Sequence, residues 1–254
     1  MAMPTVSNPM TVAVDGGEVA RVAALCRDVP RLVNTYDAGP GTAEDEQWLP
    51  LHRAAWAGHT EIVTLLLDHG AHVDSRTRHP TPDRARATAL HHAAGAGRAA
   101  VATVLLERGA GIDLLDHASL TPLHYACLRG QWSTATLLCE RGADVERRDE
   151  LGRTPLLLAI AAEGDGANDT AVALVKHGAD VNVTNPAQTA RYTPLHACVD
   201  VGPSRLPVAV ALLAAGADPR VQDPESRLTP RETARMFLRL GHGEYQAYLD
   251  AMPA

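Results

Sequence analysis

Apolar and polar positions along this chain fall in short paired blocks, and the clearest block is written more than once. "TPLHYACLRG" at Thr121–Gly130 recurs as "TPLLLAIAAEG" from Thr154 and "TPLHACVDVG" from Thr193. In the first copy Thr121 is a good helix N-cap, and Pro122 suits the first helical position, where a missing N–H is harmless. The block predicts a short helix whose Ala126 and Cys127 let a neighbouring helix lie close, ended by Gly130. A second helix follows with Leu137 and Leu138 turned inward, and Gly142 of "ERGAD" supplies a left-handed C-cap residue. "VERRDELGR" then runs as an extended turn to the next Thr-Pro.

Aligned on the Leu of this phrase, the copies bring Leu51, Leu90, Leu123, Leu156 and Leu195 into register, with Arg231 at the equivalent place in a last unit. The intervals are 39, 33, 33, 39 and 36 residues, which a unit of 33 with insertions accounts for. One such helix pair is too short to bury both its faces. Stacked neighbours build a continuous core, and stability becomes a sum of unit and interface contributions. The insertions fall in "AHVDSRTRHPTPDRARATA", in "AEGDGAND", in "VNVTNPAQTARYT", and in "VDVGPSRLP", where Pro203 and Pro207 delay the second helix of the fifth unit.

"TPLHYA", "GHTEIVTLLLDHGAHVD" and "ERGADV" resemble ankyrin repeats. The resemblance implies an all-α fold, an ankyrin-repeat α-solenoid of stacked helix–turn–helix units joined by β-turn fingers. It divides the chain into a flexible segment 1–14 and a single repeat domain 15–254. Within that domain lie a degenerate opening unit 15–46 (an Ala/Val/Leu helix from about Gly17 to Cys26), repeats 47–222 and a C-terminal capping unit 223–252. The family's His in the Thr-Pro-Leu-His phrase bonds to backbone and ties neighbouring fingers, a structural role implied here for His52, His91, His124 and His196. Leu157 and Glu232 stand in that place in two units, so the finger around "DELGRT" is expected to be less firmly tied.

In that family the fingers and first helices line a concave face read through its variable positions. Carried onto this sequence, the face presents Trp48, Arg53, Trp56, Arg86, His92, Leu120, Tyr125, Leu128, Arg129, Arg153, Arg191 and Tyr192. Trp, Tyr and Arg are the types enriched at binding hot spots. Basic residues gather in the fingers, with Arg76, Arg78, Arg84 and Arg86 against Asp83 alone, and later Arg147, Arg148, Arg153 and Arg191, whereas Glu44, Asp45 and Glu46 lie together earlier. A partner carrying carboxylates or phosphates fits those fingers, because Arg forms bidentate pairs with both.

Composition narrows the classes further. The chain is 46% hydrophobic but only 4% aromatic, so its interior is expected to be helical and closely packed around Ala, Leu and Val. The net charge of −7 argues against nucleic acid, and no apolar run is long enough to span a membrane. The N-terminus lacks a secretory pattern, and Cys26, Cys127, Cys139 and Cys198 form neither a CxxC pair nor a zinc spacing, so a cytoplasmic protein with reduced thiols is expected. Twelve histidines invite a metal, yet adjacent His91 and His92 point in different directions on a helix, and no metal or cofactor is expected. Nucleophile-elbow, P-loop, zincin and dinucleotide patterns are absent, and "AEGDGAND" lacks the spacing and closing Glu of a calcium loop.

The expected function is therefore a non-enzymatic module that binds a protein partner through the concave face, with a monomer favoured. An enzyme or small-molecule binder with a pocket on that face, using residues such as His92, Tyr125 and Asp200, is the alternative. A structural spacer or an antitoxin-like subunit of a larger assembly is a third reading.

Overall fold

The structure, a computed structural model, describes residues 8–37, 47–78, 86–184, 192–223 and 225–252. The chain divides into two compact units, 1–126 and 127–254. Among the described residues the regular structure is helical, with three isolated antiparallel bridges, Asp37 to Trp48, Gln47 to Arg78 and Arg76 to Thr88, all between finger residues.

The N-terminal unit holds three helix pairs, α1 (Pro9–Asp15) with α2 (Val19–Asp28), α3 (Pro50–Ala57) with α4 (Thr60–Asp68), and α5 (Ala89–Gly95) with α6 (Ala99–Glu107). The first helices α1, α3 and α5 pack in sequence, and so do the second helices α2, α4 and α6. This contact order is what the repeat demands. The small residues Ala54, Ala55, Ala93 and Ala94 are buried where first helices meet, and Ile62, Leu66, Val101 and Leu105 are buried from the second helices. Residues 9–14, expected within a flexible segment, lie instead in α1, which ends at Asp15. Asn8 caps it by accepting from the Met10 N–H at 2.9 Å, and Met10, Ala13 and Val14 are buried.

Helix α7 (Pro122–Leu128) spans the division between the units. The C-terminal unit continues with α8 (Trp132–Glu140), α9 (Pro155–Ala161), α10 (Ala167–Lys176), α11 (Pro194–Val201), α12 (Leu206–Ala214), α13 (Pro230–Arg239) and α14 (Gln246–Ala251). Here α9 packs on α11 and α11 on α13, while α8, α10, α12 and α14 contact one another in turn. The 3-10 turn Pro203–Arg205 delays α12, as the two prolines predict.

Glycine closes the second helices in a left-handed conformation, as Gly142 does at φ 86°. The finger tips take the same geometry two residues before Thr88, Thr121, Thr154 and Thr229. Gly152 takes it at φ 72°, but Ser119 takes it at 58° and Arg86 at 90°. A side chain at Arg86 lies outside the comfortable left-handed well, at a cost of about 1 kcal/mol. Arg86→Gly is therefore expected to raise stability by about 0.5 kcal/mol after glycine's extra chain entropy, whereas Ser119→Gly is expected to gain nothing. Urea midpoints of the two variants check the contrast.

Candidate functional site

The phrase Thr-Pro-Leu-His builds the platform for the site. The Nδ1 atom of His91 accepts from the Thr88 N–H at 3.1 Å, which leaves the hydrogen on Nε2, and that atom donates to the Leu120 carbonyl at 3.0 Å. His52 does the same between Leu49 and the Ser75 carbonyl, and His196 between Thr193 and the Leu228 carbonyl. Each ring thus holds its own helix start and the finger that follows. The tie runs forward along the chain, which corrects one expectation. Leu157 removes the donor for the finger before Thr193, whose residues 185–191 lie outside the described residues, and not for the finger at 149–154. In the cap, Glu232 replaces the histidine at the helix start by accepting from the Thr229 N–H at 2.8 Å and its hydroxyl at 3.0 Å.

Finger aspartates, which the sequence reading did not single out, arrange several site residues. Asp116 accepts from the Ala118 and Leu120 N–H groups, and its other oxygen takes the Tyr125 hydroxyl at 2.8 Å. Asp149, buried, accepts from the Leu151 and Arg153 N–H groups and pairs with the Arg153 guanidinium at 2.7 Å. Tyr192 donates to Asp200 at 2.6 Å and stacks on His196, and burial together with that carboxylate pushes its phenol pKa up. The pattern Asp-x-x-x-x-Thr immediately before "PL" was the available signal for the first two.

Other expected site residues turn inward. Arg53 is only 6% exposed and pairs with Asp15 of α1 at 2.9 Å, so it is not presented to a partner. His92 is also 6% exposed, with its ring 4.0 Å from that of Trp48, and burial keeps it well below the usual imidazole range. Both sit between first helices that approach closely because their neighbours are alanines. Trp56 remains 43% exposed, its ring edge-on to Trp48 and His92 at 6.3 Å each. Leu128, Arg129 and Arg86 are exposed, Leu120 is half-buried, and Arg191 lies outside the described residues.

The finger arginines divide by employment. One Nη1 of Arg76 donates to the Arg86 and Leu115 carbonyls, and Arg148 donates likewise to Gly152 and Thr184. Arg78 lies over the Tyr36 ring at 3.9 Å. Among the described residues no ion pair engages Arg86 or Arg129. No group of three or more His, Cys, Asp or Glu among the described residues could hold a metal ion, and none of their helices is long and apolar enough to cross a membrane. Among the described residues, cavities of about 760, 450 and 460 Å³ are lined by cap residues, by residues 216–220 after α12 and by second-helix residues, and these three include neither His92 nor Asp200.

Helix pairs in contact order, left-handed closing glycines and histidine-tied fingers define a helical-repeat protein. The model for three copies of the ankyrin repeat matches residues 78–149, and the single-repeat model matches 46–78, 151–186 and 191–224, together well over half of the chain. The chain belongs to the ankyrin repeat family. Its structure is similar to the human ASB11 ankyrin repeat domain, with a TM-score of 0.74 and 26% identity over 97% of this chain and 99% of that one. It is also similar to the ankyrin repeat domain of Bcl-3, a member of the IkappaB protein family, at 0.70 and 26% over 90% and 94% of the two chains. No curated protein matches the sequence.

Proposed function

We propose that this chain is a non-enzymatic module that recognises a protein partner through its finger and first-helix surface. The ankyrin repeat is a general protein-interaction fold, and the observation that carries the reading for this chain is Trp56. Its indole stays 43% exposed yet is fixed edge-on against Trp48 and His92, so it offers apolar area with little side-chain entropy left to lose on binding. Tyr125, held by Asp116, is a second pre-set anchor in the same unit. In the C-terminal unit Leu128, Arg129, Arg153 and Tyr192 serve in the same way. An acidic or phosphorylated partner group finds its cation at Arg86 and Arg129, since the charge of Arg153 is already answered by Asp149. Buried thiols at Cys26, Cys127 and Cys198 suit the reducing conditions of a cytoplasmic monomer.

The test uses the chain as bait in its source cell, beside a Trp56→Ala/Arg129→Ala double variant. Arg129 is exposed, and the Trp56 ring meets those of Trp48 and His92 at the surface. The double variant is therefore expected to fold with its melt lowered only by those two ring contacts, which a thermal scan records beside the capture. Loss of an aromatic anchor worth about 2 kcal/mol reduces recovery of the true partner by about 30-fold. Equal recovery of every captured protein by both baits would overturn the reading.

A further inference from the structure

The cap helix α13 buries Ala234 and stacks Phe237 on Tyr245 at 4.8 Å, yet its other side is left open. Two rows at four-residue spacing run along that side, Arg231–Arg235–Arg239 and Glu232–Met236–Leu240. Leu240 is 68% exposed and Met236 41%. Two cavities follow the rows and share Glu232 and Arg235. The one of about 760 Å³ reaches Asp218, Arg220 and Arg231, and the one of about 450 Å³ reaches Met236, Arg239 and Leu240.

Charge along this groove is unbalanced. Arg220 is answered by Asp218 at 2.9 Å, and Glu232 is engaged at the Thr229 helix start. Arg231 donates one Nη1 hydrogen to the Met252 carbonyl, while its buried Nε has no partner among the described residues. Arg235 and Arg239 enter no ion pair among the described residues. Arg231 also stands where five repeats carry a Leu that is at most 1% exposed. A cap needs a polar outer face for solubility, and arginines supply one. That need does not explain an exposed Met and Leu in the adjoining row.

We infer that this face of the cap is a second docking surface, separate from the finger surface, which takes an acidic amphipathic segment of a partner protein. Its carboxylates pair with Arg231, Arg235 and Arg239, and its apolar side chains cover Met236 and Leu240. On a chain of net charge −7, such a basic-apolar strip selects against basic partners and steers acidic ones.

Fluorescence anisotropy with the full chain and two labelled helical peptides of about sixteen residues tests this. Both peptides carry Leu at four-residue spacing, one with Glu and the other with Lys on the flanking positions. The Glu peptide is expected to bind at least about tenfold tighter and to weaken with salt. Arg235→Glu/Arg239→Glu reverses the preference, and Met236→Ser/Leu240→Ser weakens binding by about tenfold with the melt unchanged. The Trp56→Ala/Arg129→Ala variant keeps wild-type affinity, which separates this surface from the finger surface. Absence of Glu-peptide binding, equal binding of both peptides, or a preference that survives charge reversal overturns the proposal. So does a dimer of the wild-type chain in sedimentation that Met236→Ser/Leu240→Ser dissociates, since a second copy is then the occupant.

Discussion

Arg205→Ala is expected to destabilise the C-terminal unit by about 3–5 kcal/mol, a larger loss than any substitution on the exposed fingers. Arg205 closes the 3-10 turn before α12 and is 6% exposed. Its Nε donates to the Ile160 carbonyl at 2.8 Å, one Nη to Asn168 Oδ1 at 2.9 Å and the other to the Ala162 carbonyl. Asn168 in turn donates to the Ser204 carbonyl at 2.8 Å. The guanidinium therefore caps the end of α9, where negative partial charge favours a cation. Alanine leaves two carbonyls without a donor, each costing about 1–3 kcal/mol, and also removes the packed stem. Methionine restores the stem alone and recovers little, whereas lysine keeps the charge without the fork and is expected to fall between. Urea midpoints give the size of the loss, and hydrogen exchange locates it. Amides of α9 and α11 lose protection while those of α3 and α5 keep it. A midpoint shift worth less than about 1 kcal/mol would mean that water satisfies these carbonyls unaided.

The insertion carrying Arg205 was visible in the sequence only as "VDVGPSRLP", two prolines and a delay. What it does depends on a partner 45 residues earlier, and no local spacing encodes that. The same division holds throughout. Helix starts at Thr-Pro, closing glycines such as Gly142 and the leucine register were legible because each rests on one residue's own backbone preference. Helix α1 was not, since seven residues with no second phrase copy give periodicity too little length to work on. Arg53 and His92 sit at variable positions yet are buried, because the exposure of such a position is set by the bulk of the residues across from it. Asp15 and Trp48 decide it there. Arg76 and Arg148 looked like free positive charge, but a guanidinium within reach of finger carbonyls is held by them. Exposed residues such as Trp56 and Arg129 were legible as residue types. Which of the twelve positions stay available was a tertiary outcome.

Acid is expected to unfold the N-terminal unit first, and the histidines set the sign. Burial lowers the pKa of His52 and of His91 to about 4, against carbonyl hydrogen bonds that raise both, and it holds that of His92 well below the usual imidazole value. In the unfolded chain each returns to about 6.5. A depressed folded value means that the unfolded state takes up the proton first. Stability is thus whole above pH 6.5, falls as pH drops toward 4, and for His52 and His91 levels off below that. Each of these two contributes about 3 kcal/mol over the window, with a slope near pH 5 of about 1 kcal/mol per pH unit per histidine. The geometry adds to burial, because protonating His91 at Nδ1 turns the acceptor of the Thr88 N–H into a second donor facing it. General charge effects push the other way. The isoelectric point is about 5.9, so acidification toward it relieves the self-repulsion of a −7 chain and favours the compact state. Urea titrations from pH 7.5 to 4.5 at fixed ionic strength therefore separate the two accounts by direction. Loss of stability, with exchange protection failing in α3 and α5 before α11 and α13, supports the buried rings. A rise toward pH 5.9, or a flat profile down to 4.5, would show that these rings take up protons without leaving their carbonyls.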